Sequence, residues 1–424
     1  MRRRNTALVS ILLAGTVAVS TARAENWPDW RGPRHDGTSA ATGIATNWGA
    51  TENVRWRLEM PGPGPSTPVV WEDRIFLTSA DGDDLVVLAV STAGTPLWKK
   101  KIDTGNREVL SGESNLAAPS PTTDGKRLWV LFGTGALVCL DLDGKEIWRL
   151  DLQELYEPFK IHFGISSSPL LDGDRLYMQL LHTNQQLVLA LNKNTGKEIW
   201  KHTRATDARK ECLHSYATPV LYRSGETEWL LVHGADYLSA HRVSDGGEVW
   251  RIGGLQDPSS YNPTLRFVAT PVVHGDLVVV PSAKNGPVLG VDPTGAAGNI
   301  TASGENVRWR LDSGTPDVPS PVVHDGLVYL SRENGILTVV DAGDGKVVYN
   351  ERPHRARHRG SPLVADGKVY LMGMDGTVTV VKAGREYEVV STNAIDERLA
   401  ASVAVAGNTI YLRTYDALYA IGGD

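Results

Sequence analysis

An all-β fold, an eight-bladed propeller of four-stranded antiparallel blades, is predicted by three observations. First, a Ser or Thr precedes the start of a hydrophobic strand eight times, and in seven cases the next residue is proline: Thr67-Pro68, Ser120-Pro121, Ser168-Pro169, Thr218-Pro219, Thr270-Pro271, Ser320-Pro321 and Ser361-Pro362, with Ser402-Val403 the eighth. Second, successive steps lie 53, 48, 50, 52, 50, 41 and 41 residues apart, near the period of a propeller blade. Third, Asp-Gly or Asn-Gly turns separate runs rich in Val, Ile, Leu and Tyr, the pattern of tight hairpins in which Gly supplies the positive φ.

The copy at Pro321 is uninterrupted. Pro321 to His324, Leu327 to Leu330, Ile336 to Val340 and Lys346 to Tyr349 read as four strands, with turns at Asp325-Gly326, Glu333 to Gly335 and Ala342 to Gly345. Proline heads each first strand because it donates no ladder hydrogen bond, which an edge along a central channel tolerates. The fourth strand carries an aromatic residue soon after a turn glycine: Gly94 to Trp98, Gly144 to Trp148, Gly196 to Trp200 and Gly345 to Tyr349, with Trp250, Trp309 and Tyr387 in the same place after turns of other lengths. Such rings are expected to cover the neighbouring blade.

Closure of the ring is legible too. From Val403 to Ile421 there are only three strands, and the fourth is supplied near the start, where Glu52 to Leu58 (ENVRWRL) repeats Glu305 to Leu311 residue for residue. Trp56 precedes Pro68 by the same twelve positions that separate Trp309 from Pro321. The segment around Trp56 is therefore predicted to complete the last blade.

Three regions result: a signal peptide over 1–24, an N-terminal strap over 25–52 and one propeller over 53–424. Arg2 to Arg4, an apolar run from Ala7 to Val19 and Ala22 to Ala24 have the order of a secretory leader cleaved after Ala24. That run is too short to span a bilayer and no cysteine follows it to carry lipid, so the mature form is expected to be soluble, periplasmic or secreted. The strap, Trp27 to Trp48, is rich in Gly, Pro and Trp and is expected to pack on the ring's flank.

Charge excludes some partners. The chain has 43 Lys and Arg against 49 Asp and Glu, and four of the arginines fall in the leader, so the remainder carries about −10. An acidic surface without a basic stripe argues against nucleic acid. Cys139 lies in a third strand and Cys212 in a long connection; export permits a disulfide, but nothing pairs them, and free thiols are an equal expectation. No Cys/His spacing suits a metal. The basic run Glu351 to Arg359 reads as a solvated loop, Asp81 to Asp84 as a hairpin turn, and the periodic tryptophans as structural.

Loops between a fourth strand and the next first strand should reach the channel mouth. They are long after Trp98, Trp148, Trp200 and Trp250 and short after Tyr349 and Tyr387, which predicts a lopsided rim. Polar residues just before the first strands should converge there: Asn115, His162, His214, Tyr216, Arg266, His358, Arg359 and Arg398. They suggest a locally basic mouth for a carboxylate, a phosphate or an acidic peptide segment.

The Ser/Thr-Pro step, the Asp-Gly turn and the Gly-Lys-x-x-Trp strand (Gly144 to Trp148, Gly196 to Trp200) resemble the tryptophan-docking repeats of the PQQ-like β-propeller superfamily, over essentially the whole mature chain. That superfamily includes quinoprotein dehydrogenases and non-catalytic propellers of outer-membrane assembly of the BamB type. The opening Trp27 to Pro33 (WPDWRGP) further resembles exported BamB-like PQQ-repeat proteins. The resemblance implies the fold and leaves function to the site.

The dehydrogenase resemblance implies PQQ with Ca²⁺, adjacent cysteines and a catalytic Asp. Cys139 and Cys212 are 73 positions apart, and no acidic and amide cluster matches the calcium site. No cofactor is therefore expected unless that reading holds. Three classes remain, in this order: an exported binding or scaffold protein with a protein or small anionic partner, a PQQ-dependent dehydrogenase, and another enzyme acting on carbohydrate.

Overall fold

The computed structural model describes residues 25–110 and 114–422. The predicted leader and its cleavage site lie outside the described residues.

Eight four-stranded antiparallel blades form the ring, as the repeat predicts. Blade 1 runs Val69–Trp71, Arg74–Asp81, Asp84–Ser91 and Pro96–Thr104 from channel to perimeter. The sixth blade, read most fully from sequence, is Val322–His324, Leu327–Ser331, Leu337–Asp341 and Val347–Glu351. In blade 8, Ala404–Ala406, Thr409–Arg413 and Ala417–Ile421 are completed by Val54–Glu59, with Trp56 opposite Ala420. Chain closure is thus the hydrogen-bonded ladder expected.

The tryptophans join blade to blade. Five indoles donate through Nε1 to a carbonyl in the outer turn of the following blade: Trp56 to Thr92, Trp98 to Leu142, Trp148 to Lys193, Trp200 to Val243 and Trp309 to Ala342, all at 2.9–3.0 Å, whereas the buried Nε1 of Trp250 makes no such bond. A glycine lies under each ring, and a Cβ added at Gly94, Gly144, Gly196, Gly246 or Gly345 would come within 2.4–3.1 Å of the indole. This explains the Gly-x-x-x-Trp spacing: the glycine receives the previous blade's ring, and the tryptophan four residues on goes to the next. In the ladder each such residue faces a third-strand partner that is usually small, such as Ala89, Cys139 or Ala190. Cys139 is buried beneath Trp148 and burial pushes its thiol up to about 12, so it serves as a small apolar residue. Both cysteines are free and buried.

Two expectations need correction. Tyr387 lies ahead of its strand, Val389–Ala394, and the register position facing Val380 is Ser391. No ring is needed there because the strap covers the place: Asn393 donates to Thr46 O (2.8 Å), Trp48 N donates to Asn393 Oδ1 (3.0 Å) and Trp48 stacks on Tyr370.

The strap, moreover, is on the flank only over its second half. Residues 27–39 cross the channel end remote from the long loops. Trp27 exchanges two 2.8 Å main-chain bonds with Val70 of blade 1, and Pro28 O accepts from Thr123 N of blade 2. Arg31 then reaches blades 6 and 7, and Thr38–Ser39 pairs in parallel with Leu363–Ala365 of blade 7. Inner strands present unpaired main-chain groups along the channel, and this segment satisfies them. Two glycines make the tight passage feasible: at Gly32 (φ +78°) a Cβ would sit 2.7 Å from the Trp27 ring, and at Gly37 (φ +81°) 2.6 Å from the Arg31 guanidinium.

Candidate functional site

With the strap across one end, the other end of the channel lies among the connections between blades. Those after blades 1 to 4 run from Thr104 to Thr122, Asp151 to Leu170, Thr203 to Val220 and Ile252 to Val272, and carry the short helical turns Leu152–Leu155, Lys210–Leu213 and Pro258–Ser260. Those after blades 5 to 7 are shorter, from Leu311 to Val322, Glu351 to Leu363 and Ala394 to Ala404. The rim is lopsided in the direction predicted.

Alternation at each strand entry decides which side chains face the axis. The residue two before each Ser/Thr does so in every repeat: Pro65, Ala118, Ser166, Tyr216, Val268, Val318, Arg359 and Ala400 line the upper channel. Above them Phe163, Arg266, Lys284, Asp317 and Glu333 complete a mouth cavity of about 190 Å³.

Of the eight residues singled out in the sequence, Tyr216, Arg266 and Arg359 line this cavity. Arg266 stacks on Phe163 (4.4 Å), whose ring lies 6.0 Å from that of Tyr216. His162 and His214 are nearby, rings 5.0 Å apart, but His214 is buried with Nε2 on Thr183 Oγ1 (2.9 Å). Asn115 and Arg398 border a separate side pocket of about 270 Å³ with Tyr415. Asn115 is spent on Pro63 O and Ala117 N. His358, one position out of phase with Arg359, points away from the axis and is buried against Ser331 Oγ (2.8 Å).

The basic mouth is also corrected, because its cations already have acids. Glu333 meets Arg357 (2.6 Å) and Arg359 (3.0 Å), Glu211 meets Arg266 and His162 (3.5 Å each), and Asp317 meets Lys284 (3.3 Å). Burial works against the ionised Glu333, yet Arg359 and Arg357 hold its carboxyl below the usual range. The mouth is a mixed-charge surface. Lys284, Asp317 and Glu333 escaped the sequence reading because they sit on second-to-third-strand turns or in a connection; aligning repeats on the Ser/Thr-Pro step and reading two residues back would have found the upper ring.

The donors that could hold a metal are already engaged by protein partners. His202, His241 and Glu248 bring ligand atoms within 4.8 Å of one another. Both His241 nitrogens, however, are bonded to Ser239 Oγ (2.9 Å) and Gly246 O (3.0 Å), and Glu248 is clasped by Arg251 (2.5 and 2.7 Å). At the mouth the carboxylates of Asp317 and Glu333 are engaged by cations, whereas Ca²⁺ asks for six to eight oxygens. Cys139 and Cys212 are apart, in a third strand and in the connection to blade 4. The residues present do not fit PQQ with Ca²⁺.

A family model described as "Outer membrane protein assembly factor BamB" matches residues 83–298 and 234–423, nearly the whole ring. The chain belongs to this family of PQQ-like β-propellers. A curated relative, outer membrane protein assembly factor BamB of Yersinia pestis, is 23% identical over 268 residues; the match spans 60% of that relative and 60% of this chain. Among solved structures, BamB from Moraxella catarrhalis superposes with TM-score 0.61 at 14% identity, covering 87% of this chain and 97% of that one. A quinohemoprotein alcohol dehydrogenase from Comamonas testosteroni gives 0.70 at 12% identity (96% and 82% covered), and a europium-containing methanol dehydrogenase 0.71 at 13% (93% and 90%). At such identities the BamB and dehydrogenase structures alike speak for the fold alone.

Buried histidines give this BamB-family propeller a pH dependence. Burial lowers His182, His214 and His358 to about 4, the first helped by His214, the second by His162 and the third by His354. Unfolded, these rings titrate near 6.5 and so bind protons that the folded state refuses. Stability is full above about pH 6.5 and falls as pH drops toward 4, each unit of depression costing about 1.4 kcal/mol per ring as an upper bound. Urea midpoints at pH 7.5 and 5 should differ by more than 1 M, and a flat profile would show the rings to be solvated.

Proposed function

We propose that this BamB-family chain is exported, loses residues 1–24, and acts without catalysis as a docking protein whose open mouth face receives another envelope or secreted protein. One observation carries the reading: among the described residues the strap crosses one end of the channel, and the tall connections of blades 1 to 4 with the mixed-charge cavity stand around the other. Ion pairs such as Arg266 with Glu211 are 22% and 23% exposed and leave polar atoms for a folded partner's side chains. The relatives' printed name, an assembly factor, supports the same direction. No helix among the described residues is long and apolar enough to cross a membrane.

The test is capture from an envelope extract. The purified chain should begin at Glu25 and retain a discrete partner. Reversing Arg266→Glu and Arg359→Glu together should weaken retention at least tenfold, whereas Lys346→Glu, on the opposite face, should not change it. Equal retention by the double reversal, or quinone-dependent dye reduction by chain loaded with PQQ and Ca²⁺, would overturn the proposal.

A further inference from the structure

Below the mouth the channel continues into a chamber of about 130 Å³ that ends on Trp30 of the strap. Its wall is built from the repeat's most regular feature. The main-chain N–H of seven of the eight Ser/Thr residues donates to the hydroxyl of its counterpart in the next blade: Thr67 to Ser120, Ser120 to Ser168, Ser168 to Thr218, Thr218 to Thr270, Thr270 to Ser320, Ser320 to Ser361 and Ser361 to Ser402, all at 2.9–3.0 Å. This belt explains the hydroxyl at the seven steps from Ser120 to Ser402.

The bonding fixes what the belt offers. A hydroxyl has one proton to give, and here each oxygen is already an acceptor for a main-chain N–H. Among the described residues none of the seven accepting hydroxyls donates to a protein acceptor, so their protons are left for the chamber. Of the accepting residues, Ser120, Ser168, Thr218, Thr270, Ser320 and Ser361 are each at least 94% buried, and Ser402 is half-buried. On a chain with 49 Asp and Glu, no carboxylate lines the chamber, and its one charged wall group is Arg359. Arg359 is anchored from above by Glu333, which fixes the guanidinium at the chamber's upper edge. Ala118, Val268, Val318 and Ala400 supply an apolar collar between chamber and mouth.

We propose that this chamber binds a carboxylate, with its oxygens on the hydroxyl belt and toward Arg359 and its carbon stem in the collar. Converging hydroxyl protons and a guanidinium suit a group that only accepts hydrogen bonds, and low-dielectric walls strengthen each bond. The carboxylate belongs either to a free small organic acid or to the C-terminus of a polypeptide. This site lies beneath the docking face and stands whether or not a protein binds there.

Wild-type crystals soaked in sodium bromide should show an anomalous peak within hydrogen-bonding distance of belt hydroxyls. In solution, acetate and the tripeptide Gly-Gly-Ala should raise the melting temperature, and the same tripeptide with an amidated end should not. Tenfold tighter binding of the tripeptide than of acetate assigns the site to a polypeptide terminus; comparable binding assigns it to a free acid. Ala400→Asp, which places a like charge in the collar, should weaken binding at least tenfold, while Ala400→Asn should retain it. Bromide confined to the outer surface, equal shifts from free and amidated tripeptide, or unchanged binding by Ala400→Asp would each overturn the proposal.

Discussion

Arg31→Ala is expected to lower stability to unfolding by about 2–4 kcal/mol, an effect usually reserved for core aromatics. Arg31 is fully buried at the closed end of the channel, where its guanidinium donates to Asp36 O (2.5 Å), Pro321 O (2.6 Å) and Pro362 O (3.5 Å). The last two are main-chain carbonyls at the entry to the first strands of blades 6 and 7, facing the closed end of the channel. Truncation would leave them buried and unpaired, at about 1–3 kcal/mol each, and open a cavity under Gly37. The charge itself opposes burial: desolvation lowers Arg31 to about 10 despite Asp36 and Asp29. Removing it refunds part of the loss, and the carbonyls decide the sign because they remain. Arg31→Lys should recover little, since an ammonium lacks the planar fork that reaches several acceptors at once. Urea unfolding of the three proteins measures this, and a loss under 1 kcal/mol for Arg31→Ala would mean the strap does not bolt the ring.

What could be read from the sequence divides along physical lines. Blade number, strand order and closure were legible because each rests on local, repeated signals: turn glycines, alternating apolar residues and a seven-residue repeat at Glu52 and Glu305. The strap's path was not, because Trp27 and Arg31 are fixed by partners some 40 to 330 residues away, and composition carries no such information. At the mouth the sequence found Tyr216, Arg266 and Arg359 by position but missed the acids opposite them, which come from other blades. His358 shows the cost of a one-residue phase error: in an extended entry segment the neighbour of a channel residue faces the blade. The hydroxyl belt was visible as a motif, and its role appeared only when the bonds were seen to run from blade to blade.

Closure supplies the second large effect. Trp56→Ala should cost about 3–4 kcal/mol, and Gly94→Val about 2 kcal/mol, with the double variant less destabilised than their sum by about 1–2 kcal/mol. Trp56 Nε1 bonds Thr92 O, and at Gly94 (φ +85°) a Cβ would lie 2.7 Å from the indole, so valine clashes only while the ring is present. The backbone strain at positive φ persists in both backgrounds, which is why the pair couples without cancelling. Location then separates Trp56 from an equivalent such as Trp98, whose Nε1 makes the same bond to Leu142 O. Trp98 sits on a strand continuous with its own blade on the chain, whereas Val54–Glu59 is held to blade 8 by the ladder with Ala417–Ile421 and by the Trp56 ring, which bridges Tyr411 of blade 8 and Thr92 of blade 1. Loosening that dock frees a strand that the chain does not otherwise tether to blade 8. Amide exchange over Ala417–Ile421 should therefore quicken far more in Trp56→Ala than exchange over Asp84–Ser91 does in Trp98→Ala. Equal protection in the two variants would mean that the ring is held shut by its interblade packing alone and that the N-terminal strand is a passenger.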